Sequence, residues 1–284
     1  MVSTGLHRCD HVGWEHVAFG CFFTDIKLNE HSTLAGTINT FKIADKRSER
    51  QDMLNRLLRY APVVGFLKSN GVSNGFLEVG SGALGVGEFL NKSFVGIDVK
   101  FVPPFSKSIL PVKATSVALP FKEDSFDTVV CLDTLEHVEP EARRELITEL
   151  IRVSKNLLIV GFPFGDRARK VDTILYNYHK RHDLPVPEWL SEHLQFEYPD
   201  EQLMRGHDNF RISKTVDNEN AWWHLVVMIA EGYRGISRLT TRLSRLGYLG
   251  LLIGKVLSAS SVNRSYRRIY MVQKLRPEVT RDVH

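Results

Sequence analysis

The run FLEVGSGALGVGEFL, residues 76–90, constrains the fold more than any other stretch of the chain. A short apolar run leads into Gly80, Gly82 and Gly85 at the spacing G-x-G-x-x-G, and a helix-like run follows. Glycines at that spacing allow a tight strand-to-helix turn and a close approach of backbone to ligand, the fingerprint of a dinucleotide-binding turn. Two acids qualify this reading. Glu78 stands two residues before Gly80, where a carboxylate repels a pyrophosphate but can accept hydrogen bonds from an ammonium or hydroxyl group. Asp98 ends the next strand-like run, SFVGIDV (93–99), where an acid can hold both hydroxyls of a ribose. In isolation the glycines read as a tight turn and Asp98 as a surface acid.

Strand and helix patterns alternate around this turn. A helical pattern begins near Asp45 and places Leu57, Leu58, Val63 and Leu67 on one side, although Pro62 is expected to break or kink it. After GFLEVG (75–80), GVGEFLNK reads as a helix, ILPVKA (109–114) as a short strand and FDTVVCLD (126–133) as a β-branched strand. PEARRELITELIRVS (140–154) is an amphipathic helix begun by Pro140, and KNLLIVGFP (155–163) is a strand of buried type. The alternation predicts an α/β, Rossmann-like, doubly wound sheet, with its ligand at the strands' C-terminal ends.

Beyond Pro163 the pattern changes. Residues 164–200 are polar, aromatic and proline-punctuated, and insertions of this length serve as lids or substrate walls. Their aromatics, Tyr176, Tyr178, Trp189, Phe196 and Tyr198, can stack on sugar rings or pack a lid. Residues 209–217 can form a strand, 219–265 look helical, and 267–275 read as a last strand. Between Gly232 and Leu275 there are nine Lys or Arg and no Asp or Glu, although the whole chain is only +4. Arg234, Arg238, Arg242 and Arg245 recur at helical spacing beside Leu239, Leu243, Leu246 and Leu249. Such a segment either covers the sheet with a solvated basic face or lies in an anionic membrane interface.

Four motifs in order, LEVGSG, GID, LPFKEDSFDTVVCLDTLEHV and LLIVGFP, make the chain resemble the class I S-adenosylmethionine-dependent methyltransferases, of the type 11 kind. The resemblance covers roughly residues 55–163 and implies a three-layer α/β/α sandwich. Its sheet would have seven strands, mostly parallel with the last one antiparallel, and would carry helical insertions. It implies S-adenosyl-L-methionine as cofactor. The methionine part would lie over Glu78, Gly80, Ser81 and Gly82, and the ribose on Asp98. The adenine would lie near Val99, Thr115, Ser116 and Val117, and Leu132 and Asp133 would line the methyl side. Thr115 departs from the family, in which an aspartate often meets the adenine amine at that position. A softer similarity, in the FPFG run, the YHKRH insertion and the YRR of the last strand, points to methyltransferases of cell-surface polysaccharide synthesis.

The implied reaction is methyl transfer to a hydroxyl of a small-molecule, sugar or lipid-linked acceptor, with quinone or lipid methylation as an alternative. From outside this class, a nicotinamide-dependent oxidoreductase and a non-catalytic nucleotide-binding protein are the competing readings. An oxygen acceptor needs a base within hydrogen-bond reach. His137 is the first candidate, though it reads equally as an ordinary turn residue; His179 and His182 of the insertion are second. No nucleic-acid partner is expected, since no Asn-Pro-Pro-aromatic tetrad follows strand four and no RNA-binding module is present.

No metal site is expected. His7, Cys9, His11, His16 and Cys21 cluster, but at no usual ligand spacing. Three cysteines argue against a disulfide framework, and no leader pattern opens the chain. The expected location is the cytoplasm; of the two readings of 232–268, sheet cover or membrane contact, the second would place the protein on the cytoplasmic membrane face. The expected organisation is an unorganised segment 1–44, a methyltransferase domain 45–275 and a tail 276–284.

Overall fold

The structure, a computed structural model, describes residues 53–71, 75–103, 105–231 and 264–275. The expected N-terminal segment 1–44, the tail 276–284 and the basic stretch from 232 to 263 lie outside the described residues, as do the N-terminal His and Cys residues. The described parts build one seven-stranded sheet. Its strands are β1 (Phe76–Val79), β2 (Phe94–Asp98), β3 (Ile109–Lys113), β4 (Phe126–Leu132), β5 (Ser154–Pro163), β6 (Phe210–Asn220) and β7 (Ser265–Lys274). Their order is β3-β2-β1-β4-β5-β7-β6. Pairings from β3 across to β5 are parallel, and β7 runs antiparallel to both neighbours, β5 and β6. The expected α/β sheet with an antiparallel last strand is therefore present. Strand order reverses between β1 and β4, and a ligand crevice opens at such a switch point.

Alternation along the strands makes the two faces. On β4, Val130 and Leu132 point to α1 (Met53–Asn70), where they meet Tyr60, Val63, Val64 and Leu67. Val129 and Cys131 point the other way, onto Leu146, Ile147, Leu150 and Val153 of α3 (Arg143–Val153). A strand covered on both faces reads as continuously apolar, which is why FDTVVCL lacks the alternation of a half-exposed strand.

Three local features differ from the sequence expectations. Pro62 does not end its helix: α1 is continuous through it. Proline lacks the N–H that would bond the carbonyl four residues back, and here the Leu58 carbonyl accepts instead from Asn218 Nδ2 of β6 at 3.3 Å. The helix after the glycine turn, α2 (Gly87–Leu90), is one turn long, because Asn91 caps it in the left-handed region at φ 54°. The 164–200 insertion is helical, as expected: α4 (Gly165–Arg181) and α5 (Glu188–Gln195) pack with α6 (Ala221–Glu231) around Val171, Leu175, Leu190, Leu225 and Tyr266. Residues 219 and 220 belong to β6 rather than to a helix. Among the described residues no helix is long and apolar enough to cross a membrane.

Candidate active site

The glycine turn is built around Glu78. Its carboxylate is 1% exposed and faces inward, where Oε1 accepts from the Tyr60 hydroxyl at 2.8 Å and Oε2 from the Val86 N–H at 2.7 Å. Burial pushes this carboxyl up to about 7 against the pull of those donors. The expected ligand-facing acid is thus a brace for the turn. Gly80 and Gly82 both have positive φ, 74° and 56°. A Cβ on Gly80 would lie 2.0 Å from Thr134 Oγ1, so only glycine fits where the two loops touch. A Cβ on Gly82 would meet nothing within 4 Å, which leaves open room over the turn. Asp98 completes it: Oδ2 accepts from the Gly82 N–H at 2.9 Å and Oδ1 from the Lys100 N–H at 3.1 Å. Each oxygen keeps a lone pair for a hydroxyl donor.

A cavity of about 410 Å³ opens at the C-terminal strand ends. Val79 and Gly80 of the first strand, Ile97, Asp98 and Val99 of the second, and Ala114 and Ser116 after the third line one side. Asp133, Thr134, His137 and Val138, with Glu192 from α5, line the other. Several expected cofactor residues therefore meet at one cavity: Gly80, Asp98, Val99, Ser116 and Asp133. Thr115 and Val117 are not among its lining residues, their neighbours Ala114 and Ser116 are; Leu132 is buried between the sheet and α1, and Ser81 is buried with Oγ on the Gly82 carbonyl at 2.9 Å. The open Gly82 turn, the two Asp98 oxygens and the exposed apolar side chain of Val99 suit a nucleoside with an amino-acid extension, so the residues present fit the implied cofactor.

Of the three candidate histidines, the structure brings only His137 to this cavity. Its Nδ1 lies 2.6 Å from Glu192 Oε2. Burial, and then the nearby His193, hold His137 below the ordinary imidazole value despite that carboxylate. At neutral pH the ring is neutral, with Nδ1–H donating to Glu192 and Nε2 left as acceptor. His179 and His182 sit at the end of α4 and are not among the lining residues; His179 Nδ1 is 2.8 Å from the Pro185 carbonyl.

Asp133 lies in the left-handed region at φ 48°. Arg267 of β7 holds it with two bonds, Nε–Oδ1 at 2.5 Å and Nη2–Oδ2 at 2.6 Å, and Arg59 of α1 adds an ion pair at 2.9 Å. Burial alone would raise this carboxyl, but the two guanidiniums hold it well below the carboxylate range. Arg267 also reaches Glu219 at 3.2 Å, and Glu219 bonds His224 at 3.0 Å. This cluster clamps the loop after β4 to the last strand and leaves Asp133 a fixed anion on the cavity wall.

Sequence reasoning missed Thr134, Glu192, His193 and the partners of Asp133. Glu136 was legible in the Leu-Glu-His run but went unassigned. Nothing local marks Glu192, which is 55 positions from the histidine it touches.

Residues 77–157 match the sequence family described as methyltransferase domain, and that domain implies S-adenosylmethionine as cofactor. No curated protein matches the chain. Among solved structures the chain is similar to the S-adenosylhomocysteine-bound magnesium protoporphyrin IX methyltransferase of Synechocystis PCC 6803, with 16% identity, a TM-score of 0.44, and 79% of this chain and 83% of that one covered. It is also similar to an S-adenosylmethionine-dependent methyltransferase of Thermotoga maritima, with 17% identity, a TM-score of 0.43 and coverage of 80% and 94%. A third similar structure, with 14% identity, a TM-score of 0.42 and coverage of 81% and 96%, is the [4+2]-cyclase SpnF.

Proposed function

We propose that this protein is an S-adenosylmethionine-dependent methyltransferase that methylates a hydroxyl of a small-molecule, sugar or lipid-linked acceptor. One observation carries the reading: the glycine turn with Asp98 and the His137–Glu192 pair face each other across a single cavity. In this reading Asp98 accepts from the ribose hydroxyls, and Gly80 and Gly82 admit the amino-acid part against backbone, which the free lone pairs of Asp98 and the open space over Gly82 support. Val99, Ala114 and Ser116, which line the same cavity, would lie beside the base. When bound, the cofactor would supply an electrophilic methyl on a sulfonium sulfur, the sulfur being the leaving group that would keep the electron pair of its C–S bond.

The protein then has two tasks. It excludes water from the reacting atoms, and it removes the acceptor's proton. Thr134 and Val138 close the wall beside His137. His137 Nε2 takes the hydroxyl proton, while Glu192 holds Nδ1–H and stabilises the imidazolium that forms. Glu192 is the more exposed partner, so solvent screens the charge on the pair.

Calorimetric titration with S-adenosylmethionine and S-adenosylhomocysteine, beside Asp98→Ala, tests the cofactor half. Binding that is lost in the variant supports it, and failure of the folded wild type to bind sinks it. A panel of glycan, glycolipid and quinone acceptors then tests the transfer, with His137→Asn expected to cut turnover and leave cofactor affinity nearly intact.

A further inference from the structure

His137 of the cavity wall and the buried Glu136 and His193 bring one carboxylate oxygen and two imidazole nitrogens within 4.8 Å of one another. Both rings are oriented from behind. Glu192 holds His137 Nδ1 at 2.6 Å, and Asp172 holds His193 Nδ1 at 2.9 Å. A carboxylate on one ring nitrogen sets the tautomer and turns the other nitrogen into a ligand; this second layer accompanies metal-binding histidines. Asp172 is itself fixed, accepting from the hydroxyls of Tyr198 at 2.5 Å and Tyr266 at 3.0 Å. Trp189 and Tyr198 stand edge-on to the His193 ring. Two of the insertion's aromatics thus take the packing role, holding this histidine.

Glu136 is the unexplained member. It is 1% exposed, and neither carboxylate oxygen has a hydrogen-bond partner. His193 Nε2 is 3.6 Å from Oε1, beyond hydrogen-bond range. A buried carboxyl group, ionised or protonated, is costly without a partner. Asp133 does not compete for the same occupant, because Arg267 and Arg59 already neutralise it.

From this geometry we infer that Glu136, His137 and His193 form a divalent transition-metal site in the wall of the acceptor cavity. Two imidazole nitrogens and one carboxylate oxygen select a borderline ion such as Zn²⁺ over Mg²⁺ or Ca²⁺. Ligands held about 2.0–2.1 Å from such an ion lie about 3–3.5 Å apart, so small side-chain rotations close the present set around it. Three protein ligands leave at least one position open, and His137 places that position against the cavity. For its role, the site rests on the methyl-transfer reading. The ion binds the acceptor oxygen and acidifies its hydroxyl; His137 then serves as ligand, and the proton leaves to solvent rather than to its ring.

The test uses the full chain, stripped with chelator and titrated with Zn²⁺ by calorimetry. Cobalt(II) loading gives a visible spectrum independent of turnover, and S-adenosylhomocysteine binding is measured on the same samples. The wild type is expected to hold this ion, and Glu136→Gln and His193→Asn each to weaken it at least tenfold while still binding S-adenosylhomocysteine. His179→Asn should leave the ion affinity unchanged. The N-terminal His and Cys residues belong to the same chain, so the variants decide and uptake alone does not. Equal uptake and equal cobalt spectra in wild type, Glu136→Gln and His193→Asn would overturn the site, as would no uptake by a wild type that binds S-adenosylhomocysteine. Ion binding lost in both variants, in a protein that fails to bind S-adenosylhomocysteine, would support the site and overturn the methyltransferase reading instead.

Discussion

Replacing Glu78 by Gln isolates the electrostatics of the glycine turn. The carboxyl is buried between Tyr60 and the Val86 N–H, and burial raises it from the ordinary value of 4.5 to about 7. Between those values the folded protein holds a proton that the unfolded chain has released. The folded state binds more protons, so stability falls as pH rises through this window and levels off above pH 7. A difference of two to three units corresponds to about 3 kcal/mol. Gln keeps an oxygen for the Val86 N–H and an amide for the Tyr60 oxygen, and it does not titrate. Urea unfolding of both proteins from pH 5 to 8.5 is the assay. The wild type should lose about 3 kcal/mol more than Glu78→Gln across the range, and the variant should be the more stable protein at pH 8. Parallel profiles would refute the assignment of a raised carboxyl to this brace.

Four further outcomes are expected. Gly80→Ala should lose both stability and S-adenosylhomocysteine binding, because its Cβ would stand 2.0 Å from Thr134 Oγ1; Gly82→Ala, with nothing within 4 Å, should fold better than Gly80→Ala and still block the ligand, as calorimetry and melting temperature would show. Asp98→Ala should weaken S-adenosylhomocysteine at least tenfold with only about 1–2 kcal/mol lost in urea unfolding, since it removes two backbone contacts at the surface. Asp133→Ala should cost about 3–5 kcal/mol by removing the carboxylate that Arg59 pairs with and leaving Arg267 to Glu219 alone, and Asp133→Ala/Arg267→Met should recover part of it. Asn218→Ala should cost about 1 kcal/mol in the wild type and less in a Pro62→Ala background, where residue 62 regains the N–H that the Leu58 carbonyl lacks; equal costs in the two backgrounds would disprove the link.

Much of the scaffold was legible because its information is local or periodic. The glycines at 80, 82 and 85 can be read as a turn from sterics alone, and all three have positive φ. The β-branched run at 126–132 marks a buried strand, and Leu146, Leu150 and Val153 mark a helix face. Local rules misled where a distant partner changed the balance. Pro62 signals a break, yet Asn218, 160 positions from Leu58, satisfies the freed carbonyl. His179 and His182 drew notice as histidines in a polar run, and His193 did not, although only His193 joins the cluster beside the cavity.

The amino-acid sequence by itself determined the frame of the candidate site: a tight turn, an acid at the end of the following strand and an alternating strand–helix pattern are properties of neighbouring residues. Tertiary structure alone decided what each charge does. Glu78 faces inward because Tyr60, 18 positions earlier, offers it a hydroxyl. Asp133 is neutralised from 134 positions away by Arg267, and His137 is oriented from 55 positions away by Glu192. Ionisable side chains take their protonation and their role from burial and from partners in space, and folding brings those partners together with no trace in the local pattern.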